Sequence, residues 1–390
     1  MREATLDGVP VTLYEPQGER RTSDGVMVFI HGGGFVLHPK VAHEMMCDYA
    51  RQLGCLVVYV DYRLAPEHPY PAAVEDCEKV VLHLLCNSDD ELRIDGRKLA
   101  LVGESAGGNL AAVVARRLCK RQLLPCRLAA QVLIYPVTQA VDLQSPSYQA
   151  YELSYGGTAL LSGESMSRWL LHYMLGWDFD SGDVHDVMHN LHIPISVRLE
   201  PRWRRVHHDR IPERFRRPPD YKWPMVIPGK TELYERLKHL LFLPDFSPLF
   251  ADDADLARLP PTLVLTTQTD VLRDDGIWYV ECLREAGAAV EWRHYDGAIH
   301  GSTLLPKSQS GLQMRKDAAD FIRRSIWYVE CLREIGAAVE WRHYEGAIHG
   351  STLLPKSQSG LQMRKGAADF IRRIWSPKTC LVDRLSLMLK

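Results

Sequence analysis

The chain has 390 residues, of which 46% are hydrophobic, and its formal net charge is −2 with an isoelectric point near 6.8. This composition suffices for a large buried core, and the near-neutral charge gives no general attraction to nucleic acid or an anionic membrane. Nine cysteines show neither a C-x-x-C pair nor a metal-type spacing, so the sequence predicts no metal site and no cofactor.

The first strong pattern is a glycine-rich loop that follows a short apolar run. Residues 1–25 form a polar lead-in with one possible strand, and residues 26–30 then have the character of a buried strand. The sequence His31-Gly32-Gly33-Gly34 comes next. Glycines let the backbone approach a ligand within hydrogen-bonding distance. We therefore predict that amides of Gly32, Gly33 and Gly34 bind an oxyanion.

The chain then alternates between predicted helices and strands. Helices are predicted over residues 42–53 and 73–85, on either side of a strand at 56–60. The segment Asp-Tyr-Arg-Leu-Ala-Pro-Glu occupies residues 61–67, directly after that strand. Strands that alternate with helices favour a mostly parallel sheet of the α/β class.

A second turn motif, Gly-Glu-Ser-Ala-Gly at residues 103–107, follows an apolar strand at 99–102 and precedes a helix whose body is 109–115. A serine on a sharp strand-to-helix turn is exposed and rigid, as a nucleophile requires, and its neighbours must be small. We therefore predict Ser105 as the nucleophile and the amide of Ala106 as a further oxyanion donor.

Residues 137–259 show no strand–helix alternation and are predicted to form a cap over an apolar acyl site. Two features there have alternative interpretations. Four residues at helical spacing line that site or form the core of the cap itself: Trp169, Tyr173, Met174 and Trp177. The basic stretch 202–217 holds seven arginines. It makes peripheral contact with anionic lipid, or it is a solvated surface with local acidic partners, which we favour.

These motifs resemble those of a known family. His-Gly-Gly-Gly, Tyr-Arg-Leu-Ala-Pro-Glu and Gly-Glu-Ser-Ala-Gly-Gly-Asn-Leu-Ala-Ala are typical of the hormone-sensitive-lipase-like branch of the α/β-hydrolases. The segments at 133–136, 145–148, 211–215 and 270–276 are similar to those of the arylacetamide deacetylase and neutral cholesterol ester hydrolase group. The resemblance extends from about residue 10 to about residue 305.

The resemblance implies an acid and a base in the second half of the chain. Asp270 follows a predicted strand at 262–267, and His300 follows the next one at 289–295. The order Ser105, Asp270, His300 is that of the α/β-hydrolase fold. Asp274 and Asp275 are alternative acids, although we favour their interpretation as charges at a helix N-terminus.

A near-identical repeat complicates the choice of base. Residues 277–324 recur as 326–373 with three differences, at Ala286/Ile335, Asp296/Glu345 and Asp317/Gly366. His349 is therefore an alternative base, but Asp270 precedes the repeat and was not copied, which favours His300. If the first copy completes the sheet, we expect the strand and helix of the second to form an added edge strand, a dimer contact or an aggregation site.

The predicted fold class is α/β, an α/β-hydrolase fold with a mostly parallel sheet, helices on both faces and a helical cap. Residues 1–136 and 260–324 form the core, 137–259 the cap, 326–373 the duplicate and 374–390 a C-terminal tail. The resemblance implies a serine hydrolase that cleaves small apolar esters or arylacetamides through an acyl-enzyme and needs no nucleic acid partner. The alternative is a catalytically impaired binding protein or pseudoenzyme, impaired because of the duplication.

The sequence gives two different expectations for the location of the protein in the cell. The resemblance implies an endoplasmic reticulum membrane protein that faces the lumen and is held by an N-terminal hydrophobic anchor. The first residues of the sequence carry neither such an anchor nor a signal-peptide pattern, and no run of 18 apolar residues occurs. A cytoplasmic location is therefore the second expectation.

Overall fold

The sheet that carries the predicted motifs has eight strands. A computed structural model describes residues 1–16, 21–39, 42–86, 92–121, 124, 126–155, 161–216, 221–222 and 229–334. The strands are β1 (Arg2–Leu6), β2 (Val9–Tyr14), β3 (Val26–Ile30), β4 (Leu56–Val60), β5 (Leu99–Glu104), β6 (Ala130–Ile134), β7 (Thr262–Thr269) and β8 (Val290–Ile299). Their order in the sheet is β1-β2-β4-β3-β5-β6-β7-β8. In this order, neighbouring strands from β4 to β8 pair parallel, whereas β1 with β2 and β2 with β4 pair antiparallel.

Helices cover both faces of this sheet. The α-helices are α1 (His43–Leu53), α2 (Ala72–Cys86), α3 (Ala106–Lys120), α4 (Pro146–Tyr155), α5 (Gly163–Leu175), α6 (Ser181–Met188), α7 (Ile195–Arg198), α8 (Glu213–Arg216), α9 (Thr231–Leu241), α10 (Asp253–Leu256), α11 (Arg273–Glu285) and α12 (Gln309–Glu334). Short 3-10 helices cover Gly96–Lys98, Pro201–Val206, His208–Arg210, Pro248–Phe250 and Ser302–Leu304. Helices α2, α3 and α11 share one hydrophobic cluster with the sheet, and α1 and α12 share the other.

The central strands are buried on both faces, which explains why they have continuous apolar sequences. Every residue of β3, β4, β5 and β6 is buried. Parallel strands covered by helices have no solvent-facing side and therefore no polar alternation. The predicted strands at 26–30 and 56–60 and the α/β-hydrolase fold class are confirmed.

The structure differs from the sequence prediction at the N-terminus, where two strands form instead of one. β1 and β2 form an antiparallel hairpin in which Leu6 pairs with Val9. The connecting residues, Asp7 and Gly8, have positive φ angles of 47° and 80°. This pair of angles is typical of a two-residue type I′ turn, for which Asp-Gly is a preferred sequence.

The segment 137–259 lies between β6 and β7 and is termed the insertion. Its described residues form α4 to α10 and no strand. Several arginines of the basic stretch are paired with carboxylates: Arg202 with Glu200, Arg205 with Asp253, Arg210 with Glu285 and Arg216 with Asp209. Lipid contact by this stretch stays a prediction. Within the part of the chain that the structure describes, no helix is both long and apolar enough to cross a bilayer.

Helix α12 joins the two copies of the repeat without a break. The helix that ends the first copy continues through Ser325 into the start of the second copy. Its buried face follows helical spacing across the junction: Met314, Ala318, Ile322, Ser325, Ile326 and Val329. Because this face keeps its register, the first turns of the second copy pack on the core. The predicted second-copy strand and His349 lie outside the described residues.

Ile326 offers a test of this packing. The side chain is only 7% exposed, so Ile326→Ala is expected to lower the free energy of unfolding by about 2–4 kcal/mol, measured by urea denaturation. Leu312, on the same helix, is 45% exposed, and Leu312→Ala is the matched control, with an expected change within about 0.5 kcal/mol. An equal effect of the two substitutions would contradict the packing of the second copy's first turns.

Candidate active site

Ser105 sits on a strained turn between β5 and α3. Its φ is 55° and its ψ is −121°, a backbone conformation that residues other than glycine rarely adopt. Hydrogen bonds from its amide to the Ile134 carbonyl (2.9 Å) and from the Val137 amide to its carbonyl (3.2 Å) hold this backbone in place. This turn places the hydroxyl at the end of the sheet and at the N-terminus of α3, where the helix dipole favours negative charge.

The two flanking glycines allow this turn to pack against its neighbours. A Cβ on Gly103 would lie 2.0 Å from the Gly107 carbonyl oxygen, and a Cβ on Gly107 would lie 2.0 Å from the Ile30 carbonyl oxygen. Both positions face backbone, which has no room to move. Glycine is therefore required at each of them, as the motif predicts.

The structure brings Ser105, His300 and Asp270 into one chain of hydrogen bonds. His300 Nε2 lies 3.0 Å from Ser105 Oγ, and His300 Nδ1 lies 2.9 Å from Asp270 Oδ2. Asp270 stands in the loop after β7, and His300 directly follows β8. All three are nearly enclosed: Ser105 is 6% exposed, Asp270 is 2% and His300 is 8%.

The contacts of Asp270 determine which nitrogen of His300 carries the proton. The carboxylate also accepts hydrogen bonds from the Leu272 amide (2.8 Å) and the Thr267 hydroxyl (3.0 Å). A carboxylate held in this way accepts only, so His300 Nδ1 must donate to it. Nε2 then keeps its lone pair and is able to accept the Ser105 proton.

The glycine-rich loop lies directly beside Ser105. A Cβ on Gly32 would lie 3.0 Å from Ser105 Cβ, which places the two backbones side by side. Gly33 and Gly34 have positive φ angles of 102° and 62°. The Tyr62 hydroxyl donates to the His31 carbonyl (2.9 Å) and so fixes the start of the loop. Ala106 is the first residue of α3, so its amide has no acceptor within the helix.

Sequence reasoning misses a buried polar group behind Ser105. Glu104 Oε2 accepts hydrogen bonds from the Tyr135 hydroxyl (2.8 Å) and the Thr303 hydroxyl (2.9 Å), and burial raises the pKa of Glu104. Tyr135 also packs against the His300 ring, 4.5 Å between ring centroids. Because Thr303 lies three residues after His300, the group ties the histidine loop to β5. The one sequence signal was the acidic residue next to Ser105.

The alternative acids, Asp274 and Asp275, accept hydrogen bonds from the insertion. Asp274 Oδ2 accepts from the Ser147 amide at 2.7 Å, and Asp275 accepts from the Thr138 amide at 2.9 Å. Burial, the largest cause, raises the pKa of Asp275 to about 7. Both residues lie in the first turn of α11, where the interpretation as helix N-terminal residues places them, and both accept hydrogen bonds from the insertion.

Aromatic residues of the insertion pack on the glycine-rich loop. A Cβ on Gly34 would lie 2.3 Å from the Trp169 ring, so this ring covers the loop closely. Tyr173 stacks on Phe35 with 3.9 Å between ring centroids. Met174 is buried, whereas Trp177 is 71% exposed, so Trp177 neither lines an enclosed site nor belongs to a core.

Comparison with known proteins agrees with this fold. A family model described as alpha/beta hydrolase fold matches residues 27–197 and 216–304. Arylacetamide deacetylase of Mus musculus is 34% identical over 78% of this chain and 75% of that protein. Neutral cholesterol ester hydrolase 1 of Mus musculus is 32% identical over 78% and 74%. A solved hyperthermophilic esterase from Pyrobaculum calidifontis is 29% identical, covers 84% of this chain and 83% of its own, and has a TM-score of 0.60.

The hydrogen-bonded chain predicts covalent labelling of Ser105 by a fluorophosphonate, located by peptide mass. Asp270→Asn is expected to slow labelling by about 10⁴-fold, because the amide favours the wrong histidine tautomer. Asp274→Asn, a carboxylate removed from the same segment, is the matched control and should stay within about tenfold of the parent. Labelling of another serine, or equal loss in both variants, would contradict the assignment.

Proposed function

The chain belongs to the α/β-hydrolase-fold family, in the group of arylacetamide deacetylases and neutral cholesterol ester hydrolases, and on this basis we propose that it is a serine hydrolase of apolar carboxylic esters or arylacetamides. The observation that carries the proposal is the hydrogen-bonded chain from Asp270 through His300 to Ser105. Acyl transfer through a covalent intermediate needs a nucleophile, a base and a group that orients the base, and this arrangement supplies one of each.

In the first step the Ser105 oxygen attacks the substrate carbonyl carbon while His300 Nε2 takes the hydroxyl proton. The carbonyl oxygen becomes an oxyanion, which amides of Gly32, Gly33, Gly34 and Ala106 stabilise by hydrogen bonds. His300 is then an imidazolium, and the Asp270 carboxylate on its other side stabilises that charge.

In the second step the tetrahedral intermediate collapses and the bond to the leaving alcohol or amine breaks. His300 gives its proton to that leaving group, and an acyl-enzyme remains on Ser105. Water then attacks the acyl carbon as His300 takes its proton, and the carboxylic acid leaves as Ser105 regains a proton from His300. Every proton taken from one group is returned to another, so no metal or redox cofactor is needed.

The insertion is proposed as a cap that selects apolar substrates. Trp169 covers Gly34, and Tyr173 stacks on Phe35 directly after the loop. Phe35 and Tyr173 are buried in this packing and support Trp169, which is only partly buried and offers apolar surface to an acyl or aryl group. The alternative of a pseudoenzyme or binding protein has no support from the relatives, whose names describe a deacetylase and an ester hydrolase.

Hydrolysis of a short p-nitrophenyl ester tests the proposal and the choice of base together. His300→Ala is expected to lower kcat by about 10⁴-fold or more, because the serine loses its proton acceptor. His349→Ala is the matched control, since the duplicated segment gives it almost the same local sequence, and it should hydrolyse at the parent rate. The reverse result would assign the base to the second copy, and full activity in both variants would overturn the mechanism.

The glycine-rich loop is tested by Gly33→Ala. A Cβ there would lie 2.1 Å from the Leu37 carbonyl oxygen at a φ of +102°, so the loop must shift, and kcat is expected to fall by about 10²–10³-fold. Gly8→Ala is the control, because Gly8 also has a positive φ but no described residue has an atom within 4 Å of the added Cβ. Parent-like kcat in a folded Gly33→Ala enzyme would remove these amides from the mechanism.

A further inference from the structure

Three ligand-type side chains from the loops after β3 and β4 meet at the carboxyl edge of the sheet. His31 directly follows β3 and Asp61 directly follows β4, and these parallel neighbours end in register at Ile30 and Val60. The turn closed by the Leu37 amide and the Gly33 carbonyl (2.8 Å) brings His38 back to the same place. One ligand atom from each of His31, His38 and Asp61 lies within 4.8 Å of the other two.

The buried member of this group has an unused lone pair. His31 Nδ1 donates to the Gly32 carbonyl at 2.6 Å, which fixes the tautomer and leaves Nε2 as an acceptor. The ring is 0% exposed, and among the residues that the structure describes Nε2 has no hydrogen-bond partner. An unpaired buried acceptor is costly. Metal-binding histidines characteristically donate their other N–H to a carbonyl or carboxylate, as His31 does.

We propose that His31 Nε2, His38 and Asp61 form a binding site for a divalent transition-metal ion, of which Zn²⁺ is the probe. Two imidazoles and a carboxylate suit zinc, whereas Ca²⁺ and Mg²⁺ need more oxygen ligands than one carboxylate supplies. The sequence spacing does not reveal the site, because strand pairing and a loop turn assemble it.

The geometry needs only a small adjustment to bind the ion. Ligand atoms around a tetrahedral zinc lie about 3.3 Å apart, since each bond is about 2.0 Å long. His38 Nε2 and Asp61 Oδ1 are already 3.3 Å apart, in a pair at the exposed rim. Both exposed side chains move inward toward His31, and water occupies the fourth position.

The bound ion adds a further link between three parts of the site. It joins the end of β3, the end of β4 and the far side of the glycine-rich loop. Because Gly32 follows His31 directly, the ion restrains the loop beside Ser105. Binding to the folded state alone stabilises the protein, so zinc is expected to raise Tm. The site does not depend on the proposed hydrolase activity.

The test measures zinc binding on the full chain by isothermal titration, with Tm as a second readout. Two other pairs offer weaker zinc sites: His43 with Cys47, 3.8 Å between Nε2 and Sγ, and His185 with His189, 4.2 Å between ring centroids. The reference protein therefore carries Cys47→Ser and His189→Ala. His38→Ala and Asp61→Asn are then added singly.

We expect the reference to bind one equivalent of zinc with a rise in Tm. His38→Ala and Asp61→Asn are each expected to weaken binding by at least about tenfold and to remove that rise. Both residues are exposed, so Tm without zinc should be unchanged and shows that each variant folds. The proposal is overturned if the reference binds no zinc. It is also overturned if either variant binds zinc as tightly as the reference, because that result would mean that zinc is held at His300 or elsewhere.

Discussion

The close backbone contact between the turn at Ser105 and the end of β3 is the constraint on which the rest of the site depends. Gly107 faces the Ile30 carbonyl at a distance that excludes any side chain, and Gly103 faces Gly107 in the same way. The contact keeps the strained serine beside the loop that begins at His31. Because this half of the site is fixed by backbone, β7 and β8 have only to deliver one carboxylate and one imidazole to a prepared position.

The repeat raises the question of which copy delivers the imidazole, and the packing of β8 gives a physical answer. The Asp317 carboxylate on α12 accepts from the Tyr295 hydroxyl (2.6 Å) and pairs with Arg293 (2.7 Å), so it ties α12 to β8. The position that corresponds to Asp317 in the second copy is Gly366. A sheet completed by the second copy would therefore lack these contacts between the last helix and the last strand. This difference favours the first copy as the one that completes the sheet, with His300 as the base.

Sequence reasoning succeeds where the structure is dictated locally. Strands buried on both faces have continuous apolar sequences, and the two glycine turns have short, strict spacing, so both are predictable. It fails where the cause is distant or the pattern weak. The β1–β2 hairpin is missed because β1 is mostly exposed, although Asp7-Gly8 is a turn signal. The bond from Thr303 to Glu104 spans 199 residues and belongs to no short motif. Likewise, a repeat suggests separate units, whereas the buried face of α12 keeps its register across the junction.

The segment after β7 shows how closely the proposed chemistry and the proposed cap are connected. Asp270 binds His300, while Asp274 and Asp275 bind backbone amides of the insertion. Three carboxylates within six residues thus have two different partners, and sequence alone does not distinguish them because each is acidic and near the same strand end. A buried carboxylate is destabilising unless it accepts hydrogen bonds, and each of these three does so. The short segment after β7 therefore contacts both His300 and the insertion, through neighbouring carboxylates that accept from different parts of the fold.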